Sequence, residues 1–194
     1  MIKDAEIDKA LQALIEGNKR FAGSKQLHPN QDKKRRDEVA KGQKPFAIIV
    51  GCSDSRIPPE ILFDQGIGDL FIIRLAGNIV DDMALGSIEY AADHLGCRLV
   101  VVLGHSKCGA VTATAQGGEA HGHIGSITDV ISTAVENVKG KTGDLVDNAI
   151  RENARLVTAA IASSKPMLEK MVQEGKIAVA TMYYDIDTGL VEIL

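Results

Sequence analysis

The chain has 194 residues, 45% of them hydrophobic and 25% charged. That length is enough for one domain with a full core, and that composition excludes disorder as the main state. A net charge of −4 leaves no global basic footprint for nucleic acid, and aromatics at 4% with no Trp leave few platforms for stacking single-stranded bases.

Three cysteines, Cys52, Cys97 and Cys108, make an odd number. They point to a reducing, cytoplasmic setting with thiols free for metal or chemistry. Met1 to Arg20 has no apolar core of a secretory signal, and runs such as Leu99–Leu103 are too short to span a bilayer. Neither a membrane nor a nucleic-acid partner is expected.

Ile7, Ala10, Leu11, Leu14 and Ile15 recur at helical spacing behind a candidate N-cap, Asp4, and predict an amphipathic helix ending near Gly23. Gln31–Lys41 carries KKRRDE and predicts a second, mostly solvated helix. Four short runs, apolar at nearly every position, follow: Phe46–Val50, Leu70–Ile73, Leu99–Leu103 and Ile177–Tyr184. Such runs suit strands buried on both faces of a parallel sheet. Asp82–Leu95 is a helix between the second and third. Thr112–Gly125 is rich in Gly and Ala and shows no clear period. Ile127–Val138, Asp144–Ile161 and Ser164–Gly175 predict further helices, the last with Pro166 in its first turn. Asp187-Thr188-Gly189 predicts a hairpin that adds an antiparallel edge strand. The expected class is α/β: a mainly parallel sheet of four to five strands flanked by helices, in a single domain over 1–194.

Two segments stand at equivalent places. Gly51-Cys52-Ser53-Asp54-Ser55-Arg56 follows the first strand, and Gly104-His105-Ser106-Lys107-Cys108-Gly109 follows the third. Strand carboxyl ends form the ligand crevice of an open parallel sheet, so both emerge at one edge. Two thiolates and an imidazole suit zinc, and three protein ligands leave a fourth position open, which is the catalytic arrangement. Asp54 could fill that position and close the site. Alternatively Arg56 could hold Asp54 bidentately, leaving room for water. Cys97 lies at the other end of its strand and reads as a packed thiol. His28, His121 and His123 read as solvated loop residues.

The pair CSDSR (Cys52–Arg56) and GHSKCGA (Gly104–Ala110) resembles the zinc signature of the β-class carbonic anhydrases. The similarity runs from about Ala10 to Leu194, through NKRF (Asn18–Phe21), FDQGIGDLFIIRLAGNIV (Phe63–Val80) and GSIEYA (Gly86–Ala91). The resemblance implies one Zn2+ on Cys52, His105 and Cys108, with Asp54 and Arg56 as a catalytic dyad and Asp54 as the fourth ligand of an inactive state. It implies reversible hydration of carbon dioxide to bicarbonate, with zinc hydroxide as nucleophile. It places Gln43 on bicarbonate, usually across a dimer interface, an apolar wall at Phe71, Ala76 and Tyr90, and the Gly109 N–H on the substrate oxygen. Residues 1–42 would form a helical arm over a dimer partner, in a dimer or dimer of dimers. Some members carry an inhibitory bicarbonate site built on a Trp, an Arg and a Tyr; here the Trp position is Ile49, with Arg74 and Tyr184 at the other two. Hydrolysis of carbonyl sulfide or carbon disulfide, a non-enzymatic zinc protein, and a thiol redox protein are the rival readings.

Overall fold

In the computed structural model, which describes residues 4–117 and 120–194, five strands form one sheet in the order β2-β1-β3-β4-β5. They are β1 (Ala47–Gly51), β2 (Leu70–Arg74), β3 (Leu99–His105), β4 (Ala178–Tyr184) and β5 (Val191–Ile193). The first four are parallel, and β5 runs antiparallel to β4. β1 and β3 are buried at every position, as their unbroken apolar runs predict. Alternation divides their side chains between two layers. Ile49, Val101 and Leu103 face one core, and Ile48, Val50, Val100 and Val102 face the other.

The first core is covered by α1 (Ala5–Ala22), the short α3 (Pro59–Leu62), α5 (Gly109–Gln116) and α6 (Ile124–Val138). The second is covered by α4 (Asp82–Asp93) and α8 (Leu168–Gln173), and α7 (Leu145–Ala162) contributes to both. The charged α2 (Lys33–Val39) buries no residue. One of its cations is nevertheless turned inward: Arg35 donates to the Ile67 carbonyl (2.8 Å) and to Asp69 (3.0 Å).

α1 starts where Asp4 accepts the Glu6 and Ile7 N–H groups, a cap that contributes about 1 kcal/mol. Its stripe of Ile7, Ala10 and Leu14 is buried in this chain's own first core. A Cβ on Gly17 would lie 1.8 Å from the Phe63 carbonyl oxygen, so only glycine lets α1 close on α3. The stripe thus finds its cover within its own chain. Asn18 donates to the carbonyls of Leu62 (3.2 Å) and Gly189 (2.9 Å) and accepts from the Val191 N–H (2.8 Å), tying α1 to the β4–β5 hairpin. Arg20 pairs with buried Asp64 at 2.6 Å.

Two local expectations differ from the structure. The Gly- and Ala-rich stretch, of which residues 118 and 119 lie outside the described residues, begins as the second half of α5. Val111 is the only buried residue of α5, so no apolar period marks it in sequence. Pro166 precedes α8, which starts at Leu168. No helix among the described residues is long and apolar enough to cross a membrane.

Candidate metal centre

β1 connects outward to β2 on one side, and β3 connects outward to β4 on the other. The chain therefore reverses its direction of winding between β1 and β3, the switch point where open α/β sheets bind ligands. Cys52 leaves the end of β1, His105 ends β3, and Cys108 immediately precedes α5. Register pairs Gly51 with Leu103 and so brings the two loops side by side. The donor atoms of Cys52, His105 and Cys108 lie within 4.8 Å of one another, and all three residues are buried.

His105 is fixed by its other nitrogen, since Nδ1 stands 2.9 Å from the Ser106 carbonyl oxygen. Nε2 is buried with no partner; among the described residues the other such atom is Asn78 Nδ2, in the neighbouring turn. An orphaned imidazole nitrogen between two sulfurs is the donor set a soft-to-borderline divalent ion requires. The residues fit a metal of the zinc type.

The electrostatics agree. Hydrogen bonding from Cys108 draws the Cys52 thiol down to about 4; burial opposes this, and His105 and the N–H groups of Asp54 and Gly77 assist. The bond to Cys52, and then burial, push the Cys108 thiol up, against the first-turn N–H groups of Val111 and Ala110. A bound cation would favour the ionised form of both sulfurs. Cys97 is different: burial alone pushes it up to about 12, and its Sγ lies 2.8 Å from the Pro45 carbonyl oxygen, at the opposite end of the sheet.

Asp54 is held away from the sulfurs. Arg56 donates from Nε to Oδ1 (2.9 Å) and from Nη2 to Oδ2 (2.7 Å), and its own N–H also reaches Oδ1 (3.0 Å). That side-chain pairing, opposed by burial, holds the carboxyl at about 2. Of the two arrangements open to Asp54, this is the one with the fourth metal position free.

Several contacts that support the site are silent in sequence. Arg74, at the end of β2, donates to the carbonyls of Cys52 (2.9 Å) and Asp54 (2.6 Å) and so clamps the first loop. The Ser106 hydroxyl accepts the Ile186 N–H at 2.8 Å and ties the second loop to the β4–β5 hairpin. The turn Ala76–Asn78 presents the Gly77 N–H to Cys52 Sγ at 3.2 Å. Gly77 adopts φ +70°, where a side chain is strained. Only long-range register brings these groups to the loops.

Three expected pocket residues fall elsewhere. Gln43 is exposed and lies nine residues before Cys52, with all of β1 between them. Phe71 pairs with Ile48, which stands four residues before Cys52, or about 13 Å along the strand at the usual rise. Phe71 also packs on the second core, whereas Cys52 belongs to the first. Tyr90 stacks near Phe71, with ring centroids 6.4 Å apart, and is 45% exposed. Within one chain, therefore, the expected wall does not assemble. Ala76 stands beside the metal loop through its neighbour Gly77, and Gly109 opens α5 directly after Cys108. His28, His121 and His123 are exposed. Tyr184 is buried and packs near Phe21, with ring centroids 6.5 Å apart; Arg74 is occupied with the loop carbonyls.

A mainly parallel α/β sheet with a Cys-His-Cys donor set at its switch point defines a class of protein able to hold a metal ion there. Comparison with known proteins narrows the class. The carbonic anhydrase family profile matches residues 47–191. Carbonic anhydrase 2 of Mycobacterium tuberculosis is 39% identical over 186 residues, covering 93% of this chain and 89% of that protein. The carbonic anhydrase of Mycolicibacterium smegmatis is 37% identical over 188 residues, covering 95% and 91%. Among solved structures, one of two tetrameric β-carbonic anhydrases from Sordaria macrospora superposes with a TM-score of 0.78 at 26% identity, covering 96% of this chain and 97% of that one. The chain belongs to the β-carbonic anhydrase family of enzymes.

Proposed function

We propose that the protein hydrates carbon dioxide reversibly to bicarbonate and a proton on one zinc ion held by Cys52, His105 and Cys108. The observation that carries this reading is the orphaned, buried Nε2 of His105 between two sulfurs, with the nearest carboxylate drawn off by Arg56. When bound, zinc supplies a Lewis acid and an acidified water at neutral pH.

The remaining work falls to the protein. Asp54, ionised and oriented by Arg56, presents acceptor oxygens beside the donor set and can hold a proton-bearing group in line for attack. The Gly109 N–H, in the unpaired first turn of α5, is a donor for negative charge on the product oxygen. Gln43, Phe71 and Tyr90 lie at the far end of the strands and in part on the surface. In our reading they complete the pocket of a neighbouring subunit in a homodimer or dimer of dimers, meeting Ala76 from the chain that holds the metal. Carbon dioxide is small and apolar, so such a wall serves mainly to keep the site dry.

Metal analysis of the purified chain, together with a stopped-flow hydration assay, tests the reading. One zinc per chain and chelator-sensitive turnover are expected. A metal-free chain that hydrates carbon dioxide, or a zinc-loaded chain that does not, overturns it. Parallel assays on carbonyl sulfide and carbon disulfide separate the substrate classes.

A further inference from the structure

The Gly77 N–H that meets Cys52 Sγ belongs to a turn with nothing covalent to hold its angle. Gly77 takes φ +70° at no cost, as glycine does, so its orientation is set by its partners, and Asn78 at φ +46° lies in the left-handed region. The support comes from α7. Asn153, 1% exposed, donates from Nδ2 to the Gly77 carbonyl oxygen at 2.8 Å. The carbonyl and the N–H of one residue are thus both bonded, the first to α7 and the second to the Cys52 sulfur. The next residue of α7, Ala154, packs against Gly104, where a Cβ would lie 3.2 Å from Ala154 Cβ, just before His105. One stretch of α7 therefore backs both halves of the donor set.

We infer that Asn153 is a positioning residue for the Cys52 sulfur: by holding the Gly77 carbonyl it aims the Gly77 N–H at the thiolate. The inference rests on the metal reading given above. A donated N–H withdraws electron density from a thiolate and fixes its direction, and groups that orient metal ligands in this way typically alter metal affinity about 10–100-fold. A buried carboxamide can also serve only to satisfy a carbonyl. The two roles differ in what the sulfur feels.

The test uses the purified full chain, stripped of metal and reloaded with Zn2+ or Co2+. Asn153→Leu replaces the carboxamide with a side chain of similar volume that cannot donate. Asn153→Ser retains a hydroxyl too short to reach and relieves any crowding, so it serves if the leucine variant does not fold. Val157→Ala, one turn further along α7, is the packing control; Val157 is buried in the second core. Zinc affinity by chelator competition is expected to fall about tenfold or more in the Asn153 variants. The thiolate-to-cobalt charge-transfer band is expected to move to longer wavelength, because a sulfur without its N–H gives up charge more easily. Val157→Ala should lower stability and leave both readouts in place. Wild-type affinity and band position in the folded Asn153 variants overturn the inference, as do equal changes in Val157→Ala. A wild-type chain that binds neither ion overturns the metal reading itself, and this inference with it.

Discussion

Arg56 joins the two loops that carry the donor set: its guanidinium holds both oxygens of Asp54, at 2.9 and 2.7 Å, and the same Nη2 donates across to the Lys107 carbonyl at 3.1 Å. The side chain that orients the acid also spans the gap between Cys52 and Cys108. Lys107 in turn pairs with Asp187 on the β4–β5 hairpin at 2.6 Å.

Asp54→Ala removes the carboxylate and leaves the three donors untouched. Zinc content should stay at one per chain while kcat/KM falls by about 100-fold or more, the usual scale for loss of a positioned acid–base group. Zinc-loaded protein with near-normal turnover would remove Asp54 from the mechanism.

His105→Ala deletes the buried nitrogen that has no other partner. Loss of bound zinc on dialysis, with the fold retained by circular dichroism, is the expected result. Undiminished zinc stoichiometry would mean that the ion sits elsewhere.

If Gln43 serves a neighbouring subunit, two inactive variants should complement each other. Dissociated and remixed Gln43→Ala and Asp54→Ala chains form mixed dimers in which one site carries both lesions and the other carries neither. Recovery of activity on mixing is expected. Mixed dimers that are no more active than their parents would place Gln43 outside the shared site.

Asp64 gives a pH signature in stability. Burial raises its pKa, but the N–H groups of Leu27 and His28 and the Arg20 guanidinium outweigh burial, and the carboxyl lies below its ordinary 3.8. A lowered folded-state pKa contributes stability above the unfolded value, lost as pH falls through the folded one. Asp64→Asn, which suits the φ of +47° at this position, should cost about 1–3 kcal/mol at pH 7. The difference should shrink as the pH is taken well below the ordinary carboxyl value and through the lowered folded one. Urea melts at neutral pH and at the acid end measure it, and a cost that is constant across the range would assign the effect to shape alone.

Gly77→Ala introduces strain at φ +70° and brings a Cβ to 2.6 Å from Ile131 Cδ1. A loss of stability of about 1–3 kcal/mol is expected from thermal melts. A variant as stable as the parent would mean that the turn can re-form without its present angle.

Much was legible before folding. Unbroken apolar runs at β1 and β3 followed by CSDSR and GHSKC placed the donors at one sheet edge, because a parallel sheet aligns its strand ends. The Asp54–Arg56 pair lies within one local turn and could be foreseen as one of two options. α5 was not legible, since a helix of Gly, Ala and Thr with one buried residue has no apolar period. Nor was Arg35, whose charge run suggested a mostly solvated face although its guanidinium is bound to Ile67 and Asp69.

By itself the sequence determined the fold class and singled out Cys52, His105 and Cys108 as a candidate donor set, since periodicity and motif spacing are local properties that survive without contacts. Only the tertiary structure decided the rest. It set Asp54 on Arg56, placed Arg74 and the Asn153–Gly77 link behind the first loop, buried the α1 stripe in its own chain, and put Gln43, Phe71 and Tyr90 away from the Cys-His-Cys donor set of that chain. These depend on register and on residues far apart in the chain, 76 positions for Asn153 and Gly77 and 173 for Asn18 and Val191, where no spacing in the sequence carries the distance in space.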